Sequence, residues 1–205
     1  MLLANTKSQP LASHCALVGL LAERLLKTTY PSAPSSWSNT VKWAGFLHDI
    51  GKMDATFQEF LTSHSEENDG VHLTTKKHSW SEYPRHNEVS WLLLSWLSRE
   101  QCSSWVKGEL HFNAMAYAVF WHHAKPLRQE DWNTSTLLLN QHCAWVPASS
   151  TCQALNTLLD DILSAAGENK TPPFVANYPS LNQPTPSFKE HYSNGTLTIE
   201  KQNTA

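Results

Sequence analysis

Apolar residues recur along this sequence at spacings of three and four, and nearly every such stretch begins or ends on a histidine or an aspartate. A chain built this way must bring helix ends together. His14, Val18, Leu21 and Leu25 share one face of a helix expected over 11–29, which stops before Pro31. A second helix is expected to start with Ser38 or Asn39 as its cap and to carry Val41, Ala44, Phe46 and Leu47 into His48 and Asp49, with Gly51 as its stop signal. A short third helix over 54–61 presents Phe57, Phe60 and Leu61. After Pro84, a stripe of His86, Val89, Leu93 and Leu97 predicts a helix over 86–99. Another over 110–123 leads Phe112, Met115, Ala116, Val119 and Phe120 into His122 and His123. A last helix is expected over 151–166, with Leu155, Leu158, Leu159, Ile162 and Leu163 inward and Asp160 among them. Strand signals are scarce, so the fold class is expected to be all-α, a helical bundle.

With 205 residues, 40% of them apolar, the chain can bury one sizeable core, and residues 1–166 are expected to form one domain. Residues 167–205 are rich in Pro, Asn and Thr and read as a polar tail or linker, with only a hint of a strand over 196–199. The stretch 62–83 is polar and aperiodic and is expected to be a long loop, either a lid or disordered. Cys15, Cys102, Cys143 and Cys152 form no CxxC pair, which excludes a zinc ribbon and predicts buried thiols. No apolar run is long enough to cross a membrane and the N-terminus lacks signal-peptide character, so a soluble, cytoplasmic protein is expected. The net charge of -3 excludes a global basic field that would capture duplex DNA.

Eleven histidines are the one compositional excess. A single histidine on a buried face is more often a hydrogen-bonded core residue than a ligand, but five helices ending on His or Asp are harder to dismiss. Neutral imidazoles with a carboxylate are the donor set of Mn, Fe, Co, Ni or Zn. The His48-Asp49 pair is the sharpest element, because a carboxylate can bridge two cations as no imidazole can, which suits a two-metal phosphodiester site. Lys52 could offset phosphate charge, or it could be an ordinary lysine at a helix C-terminus.

The strings FLHDIGKMDATFQEFL (46–61), YPRHNEVSWLLL (83–94) and AVFWHHAKP (118–126), with the His14 helix before them, resemble the HD nuclease domain of the helicase-nuclease of type I CRISPR systems. The resemblance covers about 11–126 in the order His, His-Asp, His, His-His. It implies an HD-domain bundle in which His14, His48 and Asp49 ligate one metal, with Asp49 bridging, while His86, His122 and His123 hold the second ion or the scissile phosphate. It further implies cleavage of single-stranded DNA with two divalent ions: Mn2+, Mg2+ or a late transition metal such as Ni2+, Co2+ or Fe2+. The implied partners are an ATP-dependent helicase, as domain or subunit, and an RNA-guided surveillance complex that opens the target.

Two departures stand out. The family closes its site with a carboxylate followed four residues later by Ser, and here Asp160 with Ser164 is the fit, although it comes early and Asp161 competes with it. No GxxxxGK[ST] helicase loop occurs in these residues. His64, His72 and His78 are expected to be solvated, and His111, His142 and His191 have no partner pattern. Lys125 and Arg128 are candidate phosphate contacts. Trp91, Trp96, Trp105 and Trp121 are expected in the core, unless one stacks a base. The competing readings are an HD phosphohydrolase for nucleotides or cyclic nucleotides, and a metal-free regulatory HD module.

Overall fold

The computed structural model describes residues 1–63, 84–96, 109–123 and 149–169, and the backbone of two short strands at 191–193 and 196–198. Among the described residues the fold is all-α: α1 (Leu11–Thr29), α2 (Ser35–Leu47), α3 (Ala55–Ser63), α4 (His86–Trp96), α5 (Phe112–Trp121) and α6 (Ser149–Ala166), with a 3-10 turn at Ile50–Met53 joining α2 to α3. The strands β1 (His191–Ser193) and β2 (Thr196–Thr198) pair as an antiparallel hairpin, Tyr192 opposite Leu197. The strand hinted at 196–199 is thus one arm of a hairpin. No helix among the described residues is long and apolar enough to cross a membrane.

Helix α1 packs on α2 and α6, α4 packs on the 3-10 turn and on α5, and α2 also meets α5. One core runs through all of them, built on Leu11, Cys15, Phe46, Leu47, Ile50, Leu93, Met115, Leu155 and Ile162. Gly19 and Gly45 face each other across α1 and α2, and a Cβ on Gly45 would lie 2.5 Å from Gly19 Cα. That backbone-to-backbone approach seats α1 against α2 and fixes which side of α1 is inside.

It also corrects the expected face of α1. The buried residues are Leu11, Cys15, Ala16 and Gly19, whereas Leu21 and Leu25 are 66% and 60% exposed. The helix is apolar nearly all round, so the period was legible and the phase was not. Helix α2 starts at Ser35 after Pro34, three residues before the expected cap, and no side chain caps it. Ser38 is used differently, its hydroxyl donating to Glu23 Oε1 of α1 at 3.0 Å. Helix α3 does have a cap, since Asp54 Oδ1 accepts from the Phe57 amide at 3.0 Å. At α4 the Arg85 amide donates to Glu88 Oε2 at 2.8 Å, half of a capping box that explains a buried glutamate.

Helix α5 is shorter than expected, with His122 as C-cap and His123 in the turn beyond. Helix α6 closes on Gly167 at φ 70°, where the Gly167 and Glu168 amides donate back to the Ser164 and Leu163 carbonyls. The Cys15 thiol is buried as expected, whereas Cys152 is only half-buried. Helix α3 runs on through Thr62 and Ser63, the first two residues of the loop expected over 62–83. The rest of that loop, the end of the 86–99 helix, Lys125, Arg128, Trp105, Cys102, Cys143 and His142 lie outside the described residues.

Candidate metal centre

Asp49 follows α2 directly and is 2% exposed, at the meeting point of α1, α2, α4 and α5. Its Oδ2 faces His14 Nε2 at 3.2 Å, His48 Nε2 at 3.3 Å and Lys52 Nζ at 2.7 Å. Its Oδ1 faces His86 Nε2 at 3.2 Å and His122 Nε2 at 3.3 Å. His123 completes that second side, with its ring 4.7 Å from His86 and 4.2 Å from His122. Two groups result, Asp49 with His14 and His48, and Asp49 with His86, His122 and His123, each with its ligand atoms within 4.8 Å of one another.

Local backbone chemistry orients these rings. His48 Nδ1 lies 2.6 Å from the Gly45 carbonyl and His122 Nδ1 lies 2.7 Å from the Val119 carbonyl. A carbonyl can only accept, so each Nδ1 carries a proton, and in the neutral ring this leaves Nε2 as the nitrogen with the free lone pair. Gly51 lets the 3-10 turn approach α4: its amide donates to Ser90 Oγ at 2.8 Å, and Ser90 donates to the His86 carbonyl at 2.8 Å. A Cβ on Gly51 would collide with that carbonyl. Asn87 donates to the Phe120 carbonyl at 2.6 Å and ties α4 to the end of α5.

The electrostatics follow from this geometry. Burial alone would raise the Asp49 carboxyl, but His122, His14, His48 and His86 together outweigh it and hold the group ionised, well below the usual carboxylate range. Burial pushes His86 down. His123 falls to about 4 through burial and the neighbouring His122 and His86. The depression of His86 and His123 favours their neutral rings, the form in which an imidazole can ligate a metal. Asp49 Oδ1, His86 Nε2 and His122 Nε2 are all buried without a hydrogen-bond partner. Buried nitrogen and oxygen atoms crowded this closely around one point fit a cation, and the nitrogen-rich donor set fits a divalent transition metal.

Six of the expected residues, His14, His48, Asp49, His86, His122 and His123, are thus brought together. Lys52 is present with a different geometry, its ammonium on Asp49 Oδ2 at 2.7 Å and on the Ala4 carbonyl at 2.9 Å. Asp160 lies half-exposed on α6 and Asp161 is exposed; neither belongs to either group. His111 does have partners, contrary to expectation: Ser36 Oγ at 3.1 Å and the Trp37 ring at 4.6 Å. Trp91 is buried against Phe120.

Sequence reasoning missed the roles of Gly45, Ser90 and Gln58. Gly45, three residues before His48, and Gly19 in the preceding helix were the available signals for a close helix approach.

A buried carboxylate shared between two imidazole groups on an all-helical scaffold defines a metal-dependent hydrolase of the HD type. The chain belongs to the family described as "Cas3, HD domain", which it matches over residues 3–186 and so past the end of α6. No curated protein and no solved structure matches it.

Proposed function

We propose that this chain hydrolyses phosphodiester bonds of single-stranded DNA during CRISPR interference, as an antiviral nuclease in the cytoplasm. One observation carries the reading: each oxygen of Asp49 faces its own pair of imidazole Nε2 atoms, an arrangement that would suit two ions sharing one carboxylate. Two divalent cations held there would supply an activated water and charge stabilisation for attack at phosphorus. His14 and His48 would hold one ion, and His86, His122 and His123 the other. Mn2+ or a late transition metal such as Ni2+, Co2+ or Fe2+ suits these imidazoles better than Mg2+. Asp160 is not carried forward as a ligand.

The net charge of -3 supports a single strand over duplex, because few cations are available to offset unpairing, at about 1.4 kcal/mol per step. We infer that an ATP-dependent helicase, on this or another chain, feeds the strand after an RNA-guided complex opens the target. We also infer that residues 1–166 form the catalytic unit and that 167–205 serve as tail or linker, the boundary lying at the Gly167 helix stop.

The test offers one oligonucleotide single-stranded and in duplex, beside a cyclic dinucleotide and a nucleoside triphosphate, with Mn2+ and with a chelator. Metal-dependent cutting of the single strand alone is expected. Faster turnover of a small nucleotide would overturn the substrate assignment in favour of a nucleotide phosphohydrolase. Equal cutting of duplex would overturn the argument from charge.

A further inference from the structure

We propose that the two halves of the centre fill in a fixed order, the His86/His122/His123 side before the His14/His48 side, and that Gln58 enforces the order by fixing Lys52 on Asp49. The inference rests on the two-ion reading above and concerns the chain's own residues.

Gln58 sits on α3, away from the imidazoles, yet its side chain is fully engaged. Its amide nitrogen donates to the Leu3 carbonyl at 2.8 Å and to the Lys52 carbonyl at 2.7 Å, and its Oε1 accepts from the Leu3 amide at 2.8 Å. One side chain thus joins the N-terminal segment to the 3-10 turn that carries Lys52. The segment is also closed on itself, the Ala4 amide donating to the Gln9 carbonyl at 2.8 Å and the Leu11 amide to the Leu2 carbonyl at 2.9 Å. Fixed at both ends, it presents the Ala4 carbonyl to Lys52 Nζ at 2.9 Å. The ammonium is held between that carbonyl and Asp49 Oδ2, with the Phe57 ring 5.9 Å away. A lysine side chain is otherwise among the most mobile, so ordering it this way requires the clamp.

The consequence is an asymmetric carboxylate. Lys52 places a full positive charge on Oδ2, the oxygen shared by His14 and His48. An ion on that side meets the ammonium at short range, while an ion on Oδ1 lies across the carboxylate from it. Repulsion falls with distance and is strong in a buried site. Oδ2 has a second lone pair, so the position is weakened and not blocked. The Oδ1 side also offers three imidazoles against two. Charge and ligand count therefore favour the same side.

The experiment titrates the metal-stripped full chain with Mn2+, following bound and free ion by electron paramagnetic resonance, in which a spin-coupled pair is distinct from a single ion. Two dissociation constants separated on the order of tenfold to a hundredfold are expected. His123→Ala should weaken the tighter one and His14→Ala the weaker one. Lys52→Met should narrow the gap by about tenfold. Gln58→Met should narrow it similarly and add nothing in the Lys52→Met background, because it acts only through Lys52. Gln58→Asn, too short to reach both carbonyls, is the second variant, and thermal melts confirm that each chain is folded. Equal constants, a reversed assignment, or a Gln58 effect that adds to Lys52→Met would overturn the inference alone. Absence of Mn2+ uptake by the unaltered chain would overturn the two-ion reading, and this inference with it.

Discussion

Asp49→Ala separates the structural from the chemical role of the central carboxylate. In the metal-free protein Asp49 is the counter-charge of Lys52, at 2.7 Å, and the two side chains are 2% and 12% exposed. Removing one partner of a buried pair leaves the other charge uncompensated, at a cost of about 3–5 kcal/mol. Against a total of roughly 5–15 kcal/mol the chain should remain folded. For a chain of this size each kcal/mol lowers Tm by about 2–4 °C, so a drop of about 6–20 °C is expected in chelator. The double variant Asp49→Ala/Lys52→Met removes both charges and should recover most of that loss, while phosphodiester cleavage stays abolished in both. The assay is a calorimetric melt in chelator, paired with cleavage of a single strand at saturating Mn2+. A single variant within about 1 kcal/mol of the unaltered chain, or a double variant no more stable than the single, would refute the pairing argument. Cleavage that survived in Asp49→Ala would refute the site.

Gly45→Ala places a Cβ 2.5 Å from Gly19 Cα, so α1 must shift away from α2. The helix-propensity gain of about 1 kcal/mol is outweighed, and a net loss of about 1–3 kcal/mol in a urea titration is expected, with weaker metal binding on the His14/His48 side. Burial and the nearby Asp49 charge push the Cys15 thiol up, so Cys15 should resist iodoacetamide in the native chain and react after denaturation, as read by peptide mass mapping. His86 and His123 are depressed in the fold, His123 to about 4, against about 6.5 in an unfolded chain. The unfolded state therefore takes up protons first as pH falls, and metal-free stability should decline from about pH 6.5 toward 4. A urea midpoint that held or rose over that window would contradict the assignment.

The histidines were legible because helical periodicity is a local property: His14, His48, His86 and His122 could each be placed at the end of an apolar stripe before any contact was known. What periodicity could not supply was phase and partnership. On α1 two apolar stripes compete, and only the Gly19-Gly45 contact, which is 26 residues apart in sequence, decides between them. Ser38 looked like a cap because its residue type caps helices, yet Glu23 on another helix claimed its hydroxyl. Lys52 looked like a phosphate contact because the Ala4 carbonyl that holds it belongs to a segment without helical signal. Asp160 fits the family's carboxylate-Ser pattern through Ser164, but that spacing does not say which face of α6 is turned inward.

The position of the ligands at helix ends has its own physical reason. The last carbonyls of a helix have no intrahelical donor and must find one. At α2 and α5 a histidine supplies it, His48 to Gly45 and His122 to Val119, each three residues back. The same bond fixes the ring tautomer, because the nitrogen that satisfies the helix holds the only proton of a neutral imidazole. The other nitrogen is then obliged to be an acceptor, and it is aimed past the helix end at Asp49. Helix termination and ligand orientation are therefore one interaction. A residue such as asparagine could terminate the helix without presenting an imidazole nitrogen, and a mid-helix histidine could present the nitrogen without a free carbonyl to fix it.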